Sequence, residues 1–355
     1  MQMTDVFSLP SGVQNARNSE GSFIQLDSGK LMYIYTRYCG ESSNDNATSD
    51  LAACYSDDDG KSWTRKDTII VDHGDAINVM SVSLLRLQDG RMMLLYLHKK
   101  KSAQFGIECI PKVIYSSDEG NTWSAPQNVI SLPGYYIINN DRLIQLESGR
   151  IVIPVAWAFM SGMDHKDRHS IALIFYSDDG GKTFQKAKDC MLPPWHLESG
   201  LQEPGVIEIS PGKLWCWSRT SGGFQMISYS EDSGEHWTAP AKSSFLSPCS
   251  PMSLKRNPHT GELFAVWNDI SERFKKDLPP AQATSWNRTP LVLARSCDNG
   301  KTWKDHVLIE KDPACGYCYI GMHFTTDNAL LLSYCCGGEK GIVLSESKIK
   351  RVQLS

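Results

Sequence analysis

Ser56-Asp57-Asp58-Asp59-Gly60-Lys61-Ser62-Trp63 is written five times, with small changes, along this chain of 355 residues. The other copies begin at Ser116, Ser177, Ser230 and Ser296, at intervals of 60, 61, 53 and 66 residues. Their shared pattern is Ser-x-Asp-x-Gly-x-[Thr/Ser/His]-[Trp/Phe]. An octet that returns five times with its aromatic in place marks one supersecondary unit repeated along the chain. Each copy has the chemistry of a hairpin turn. The Asp accepts from nearby backbone amides, the Gly permits positive φ, and the aromatic seats the turn on the core of its unit. Taken singly, each copy is an acidic surface turn; the repetition carries the information.

A second signal runs in phase with the first. Turn-plus-strand segments open at Ser28-Gly29-Lys30-Leu31, Asp89-Gly90-Arg91-Met92, Ser148-Gly149-Arg150-Ile151, Pro211-Gly212-Lys213-Leu214, Thr260-Gly261-Glu262-Leu263 and Asp327-Asn328-Ala329-Leu330. Each leads into a run rich in β-branched, aromatic and aliphatic residues, as strands are. The count is six units, five with the octet and a sixth without it. Units of this length with four short strands each suit propeller blades. The expected fold is therefore all-β, a six-bladed β-propeller forming one domain over residues 1–355. Residues 4–10, ahead of the first unit, are expected to supply the missing strand of the last blade and close the ring. No amphipathic helical stretch is expected.

Composition narrows the function classes. Net charge is −4, and the longest basic run is Lys99-Lys100-Lys101, which leaves nucleic-acid binding without an electrostatic footprint. No apolar stretch approaches the roughly 20 residues of a membrane-spanning helix. The start, MQMTDVFSLPSG, has neither the basic region nor the apolar core of a secretory signal. Eleven cysteines, several inside strand runs, read as reduced thiols acting as small hydrophobes in a cytoplasmic protein. No pair of Cys-x-x-Cys motifs is present, so neither a structural zinc site nor any other metal or cofactor is expected. Oligomeric state is not legible.

In a propeller the first strand of each blade lines the central channel, so polar residues flanking those strands are the candidates for chemistry. Arg17 precedes the first inner strand, Arg37 ends the next run, and Asp45 lies in the Ser/Asn-rich loop that follows. Gln202 and Glu203 precede the fourth inner strand, Arg219 ends the strand after it, Arg288 stands before Leu291, and Tyr317 opens the last blade. Asn139-Asn140-Asp141-Arg142 opens the third, and Trp267-Asn268-Asp269 closes a strand of the fifth. Singly, an Arg at a strand end is an ordinary ion-pair residue, and an Asp in such a loop caps a turn.

In order and blade position, however, this set resembles the sialidase (neuraminidase) family residue by residue. The octet resembles that family's Asp-box, and six blades are its fold. Asp45, 11 residues before the first box, is similar in spacing to the family's acid/base. Glu203-Pro204 followed by Gly212-Lys213-Leu214 and Arg219 resembles its mid-chain pattern. Arg288 resembles its third arginine, and Gly316-Tyr317-Cys318 its closing Tyr motif. The resemblance implies a retaining exo-glycosidase that removes sialic acid or a related 2-keto-acid sugar from glycans. Tyr317 is then the nucleophile, Glu203 its base, Asp45 the acid/base, and Arg17, Arg219 and Arg288 the carboxylate clamp, with Arg37 beside Asp45. Asp141, Arg142 and Gln202 are expected to contact substrate.

The chemistry accounts for the set. Convergent guanidiniums offer forked, charged donors to a carboxylate. A carboxylate nucleophile would meet charge repulsion at an anomeric carbon bearing a carboxylate, whereas a neutral Tyr activated by Glu avoids it. Two departures from the family pattern stand out. Arg17-Asn18-Ser19-Glu20 places an acid beside the clamp, and Ser81 stands where many sialidases carry Asp. Two other classes remain open: a carbohydrate-binding propeller without turnover, and a glycosidase or lyase for other acidic sugars.

Overall fold

The computed structural model describes residues 1–104, 106–158, 160–161, 165–166, 169–338 and 341–354. It is built of antiparallel strands, and the one helical turn among the described residues is a 3-10 turn at Ala283–Ser285. In chain order the strands form six meanders. The first runs through Asn18–Gln25, Leu31–Tyr38, Ser49–Ser56 and Thr64–Val71, paired in sequence order. The fourth (Gln202–Ser210 to Ala241–Leu246) and fifth (Ser253–Arg256 to Lys304–Glu310) repeat that order. The second and third join into one nine-stranded sheet through a parallel contact between Tyr135 and Cys109. The sixth takes Cys318–Phe324, Ala329–Cys335 and Ser347–Gln353, and its outer strand is Gln2–Leu9, with Met3 opposite Val352 and Leu9 opposite Ser347. The N-terminal segment thus closes the ring, as expected from its sequence.

The second strand of each meander is covered on both faces. Leu31–Tyr38 and Ala329–Cys335 are accordingly continuous apolar runs rather than alternating ones. Between successive meanders lie six apolar clusters, one per interface around the ring. Ile24, Met32 and Leu94 pack the first against the second, and Trp215, Phe245 and Leu263 the fourth against the fifth. Leu9, Tyr33 and Leu331 pack the sixth against the first.

Every octet links the third strand of a meander to its fourth, and all five make the same bonds. In the first, Ser56 Oγ donates to Asp58 Oδ1 (2.9 Å) and accepts the Gly60 N–H (2.9 Å). The Ser62 N–H and hydroxyl donate to the two Asp58 oxygens at 2.8 and 2.6 Å. Each turn leans on the preceding blade: a Cβ on Gly60 would meet Leu331 at 2.5 Å, and one on Gly300 would meet Trp215 at 2.7 Å. The sixth blade lacks an octet for a topological reason. Its third and fourth strands come from opposite ends of the sequence, so no turn connects them.

Candidate active site

Four inner strands open with the same irregularity. Pairing breaks between Ser19 and Ser22, Met80 and Ser83, Gln202 and Gly205, and Cys318 and Gly321, each time with one extra residue on the inner strand. The first residue of each bulge is left-handed: Glu20 (φ 56°), Ser81 (φ 60°), Glu203 (φ 46°) and Tyr319 (φ 58°). A non-glycine residue held there costs about 1–3 kcal/mol, and such bulges re-aim a side chain. All four side chains line the inner arm of one cleft at the channel mouth. Close packing behind the bulges fixes them. A Cβ on Gly205 would stand 2.2 Å from Trp217, and one on Gly321 2.6 Å from Ser333 Oγ. Asn140 Nδ2, reaching across from the third blade, donates to the carbonyls of Gly21 (2.7 Å) and Tyr319 (3.2 Å).

The outer arm of the cleft, a cavity of about 600 Å³, is lined by Arg17, Arg219 and Arg288 with Asp45 and Tyr319, and half-exposed Trp286 stands at its rim. The three arginines expected to converge do so. They differ in commitment. Arg17 is buried and fully engaged: Nε donates to Ser19 Oγ (3.0 Å), Nη1 to Asp45 Oδ1 (2.6 Å) and Nη2 to Glu20 Oε1 (3.4 Å). Arg219 Nη2 pairs with Glu203 Oε1 at 2.9 Å, while its buried Nε and Nη1 have no hydrogen-bond partner among the described residues. Arg288 Nη1 donates to the Cys318 sulfur at 3.0 Å, and its guanidinium lies 5.6 Å from the Tyr319 ring. Cys318 closes the one Cys-x-x-Cys spacing in the chain, and its sulfur is turned to this arginine.

Glu203 is buried, and its Oε2 is without a hydrogen-bond partner among the described residues. Burial and then the Glu203 carboxylate push the Tyr319 hydroxyl well above its ordinary range, against the pull of Arg219 and Arg288. Tyr319 therefore stays protonated until a base takes its proton, and Glu203 is the carboxylate beside it. Burial lifts the Glu20 carboxyl to about 7; Arg17 opposes the rise, and Asp45 and Glu203 reinforce it. The Asp45 loop is pinned through its backbone. Lys99 Nζ and Asn78 Nδ2 donate to the Asp45 carbonyl at 2.7 and 2.8 Å.

Several expected positions are corrected. Tyr317 is not in the cleft. It packs in the interface between the fifth and sixth blades, edge-on to Tyr334 with ring centroids 6.1 Å apart. Residues 317 and 319 of a regular strand would share a face; the left-handed bulge at 319 breaks that alternation. Arg37 does not lie beside Asp45. It faces Asp67 (3.8 Å) and Cys39, and Arg17 holds Asp45 instead. Asp141 and Arg142 sit deeper, lining a separate cavity toward the other channel mouth. Asp141 bonds Lys255 (3.1 Å), Ser22 and the Met322 N–H, and Arg142 bonds Ser253 Oγ and the Met252 carbonyl. Gln202 does line the inner arm. Asn268 acts from behind, its Nδ2 donating to the Arg288 carbonyl at 2.8 Å.

Sequence reasoning gave Lys99 no place in the site and made Tyr317, rather than Tyr319, the nucleophile. A signal for Tyr319 was present, because Glu203-Pro204-Gly205 and Tyr319-Ile320-Gly321 place their site residue at the same distance from a glycine. Among the described residues, one grouping could offer a metal three ligand atoms, Asp50, Asp72 and His73. Asp50 and His73 already bond each other at 2.6 Å.

Comparison with known proteins agrees with this architecture. The profile of the BNR repeat-like domain matches residues 65–330. A sialidase of Bacteroides fragilis is 25% identical over 221 residues, covering 58% of this chain and 36% of that protein, so the chain spans little more than a third of that relative. A protein of unknown function from Dyadobacter fermentans superposes with a TM-score of 0.75 at 18% identity over 99% of both chains. The NanB sialidase of Streptococcus pneumoniae gives 0.73 at 12% identity, over 99% of this chain and 70% of that one.

Proposed function

From the premise that this chain belongs to the BNR repeat-like domain family, whose fold and relatives are those of sialidases, we propose that it is a retaining exo-glycosidase acting on sialic acid or a related 2-keto-acid sugar. One observation carries the reading: Tyr319, Glu203, Asp45, Arg219 and Arg288 from five separate segments line one cleft. A non-catalytic lectin has no use for that combination.

The substrate carboxylate is received by Arg219, whose Nε and Nη1 lack partners among the described residues, together with Arg288. Tyr319 Oη attacks the anomeric carbon while its proton passes to Glu203, and the glycosidic bond breaks as Asp45 protonates the leaving oxygen. A water then attacks the same carbon and gives its proton to Asp45. The bond to Tyr319 breaks, and the phenol recovers its proton from Glu203. Two displacements at one carbon retain configuration. Arg17 keeps Asp45 in place between the two proton transfers.

A panel of fluorogenic glycosides, sialic acid first and other keto-acid and uronic-acid sugars after, tests the proposal. Release of fluorophore from an acidic 2-keto sugar with retained configuration supports it. Binding of acidic sugars without turnover of any panel member replaces it with the lectin reading.

A further inference from the structure

Two of the four bulge residues, Glu203 and Tyr319, have roles in the reaction proposed above; Glu20 and Ser81 have none. They hold the same backbone position in neighbouring blades and line the same inner arm. Ser81 Oγ donates to Glu20 Oε2 at 3.2 Å. We propose that Glu20, oriented by Ser81, is the specificity-determining residue of this site, accepting a hydroxyl of the sugar ring and so selecting sugars with a free hydroxyl in the inner arm over sugars with an acyl group there. This rests on the glycosidase reading.

The argument is one of donors and acceptors. An ionised carboxylate only accepts, and Ser81 has spent its one proton on it. Two cations line the same arm: Lys99 directs its ammonium at the carbonyl of Asp45 and at Asn46 Oδ1, and Arg219 pairs with Glu203 and keeps its open donors for the substrate carboxylate. A hydroxyl entering beside Glu20 therefore finds a further acceptor, whereas an acyl oxygen there meets the carboxylate as another acceptor and leaves it with Arg17 and Ser81 alone. Sites built around such a bond discriminate, because a substrate without the donor forgoes it and sets acceptor against acceptor. Arg17 gives Glu20 a second reason to exist, as counter-ion, and the test must separate the two.

Charged groups around Glu20 are Arg17, Asp45, Glu203 and Lys99, and together with burial they place its ionisation at about 7. Below that pH the carboxyl becomes a donor as well, so the preference should narrow as pH falls.

The probes are two pairs of fluorogenic 2-keto-acid glycosides, one pair differing as acetamido against hydroxyl on a ring carbon, the other as O-acetyl against hydroxyl on its neighbour. At pH 8 wild type should favour the hydroxyl member of at least one pair by about tenfold in kcat/KM. Glu20→Gln, whose amide donates as well as accepts, should erase that ratio mainly through KM, and its residual ratio should not change with pH. A wild-type preference for the acyl members, or a ratio unmoved by Glu20→Gln, overturns the proposal and leaves Glu20 as counter-ion to Arg17. Should Glu20→Gln not fold, Ser81→Ala must narrow the ratio, and an unchanged ratio overturns equally. If no glycoside is turned over, the glycosidase reading falls alone, and calorimetry with the free sugar acids decides Glu20. Tighter binding of the hydroxyl sugar that Glu20→Gln abolishes supports it; equal binding, or none, overturns it.

Discussion

The five octet turns and the four inner-strand bulges are both repeats, and they repeat opposite things. In the turns the side chains recur: Ser and Asp make the same bonds from Ser56 to Asp298, with Gly and an aromatic always in place. In the bulges only the backbone recurs, one extra residue with φ near +55°, and the side chains are Glu20, Ser81, Glu203 and Tyr319. A bond pattern copied with its residues maintains the ring. A strained backbone copied without them presents a different group at each station, which is how a symmetric scaffold acquires an asymmetric site.

If that division is right, exchanging a bulge side chain should change function and leave the fold intact. Tyr319→Phe is expected to cut turnover at least 1,000-fold, on the order of a lost nucleophile, while Tyr317→Phe stays within about threefold; kcat for both variants on an aryl glycoside decides it. Equal losses would return Tyr317 to the site. Next in size, Arg219→Lys should lower kcat/KM about 100-fold, chiefly through KM, because a lysine cannot reproduce the forked donors left open beside Glu203. An effect confined to kcat would instead give Arg219 to Glu203 alone. Asp45→Asn should slow substrates with poor leaving groups far more than those with good ones, whose departure needs little protonation. Parallel losses across a leaving-group series would remove Asp45 as the acid.

Two smaller effects compare the regions through stability. The Glu20 carboxyl titrates higher in the fold than in the unfolded chain, so the folded state holds the extra proton and stability falls as pH rises from the ordinary carboxylate range to about 7. Glu20→Gln removes that penalty. It should raise Tm by about 2–5 °C at pH 8 and by little at pH 5, and a gain larger at pH 5 would contradict the sign. For the turns, Asp58→Ala strands the Ser62 and Ser56 donors and should cost about 1–2 kcal/mol in denaturant unfolding, with kcat per folded molecule unchanged.

The same division explains what the sequence disclosed. The octets were legible because their side chains are the signal; with the turn-plus-strand segments they yielded blade order and the closing strand, and the resemblance to sialidases implied the clamp of Arg17, Arg219 and Arg288. The bulges were nearly silent, since a backbone irregularity has no fixed residue code. Regular alternation would point Tyr317 and Tyr319 the same way, and at the left-handed bulge it does not hold. Arg37 and Arg142 misled for a related reason: position beside the channel does not say which way a long side chain turns, and Asp67 and the Met252 carbonyl claim them. Lys99 read as one member of a basic run, although it alone of the three is buried.

The join between Gln2–Leu9 and Ser347–Gln353 has a consequence for how the protein is made. Within the ring the strand synthesised earliest is paired with the one synthesised latest, and 338 positions separate Leu9 from its partner Ser347. At about 5–20 residues per second, the earliest strand waits on the order of 20–70 s for that partner to be synthesised. During this interval its amides and carbonyls form an open edge, of the kind that invites pairing with another chain. Asp5, which meets Lys348 and Lys350 once the ring is shut, puts a charge in the middle of that edge while it stands open.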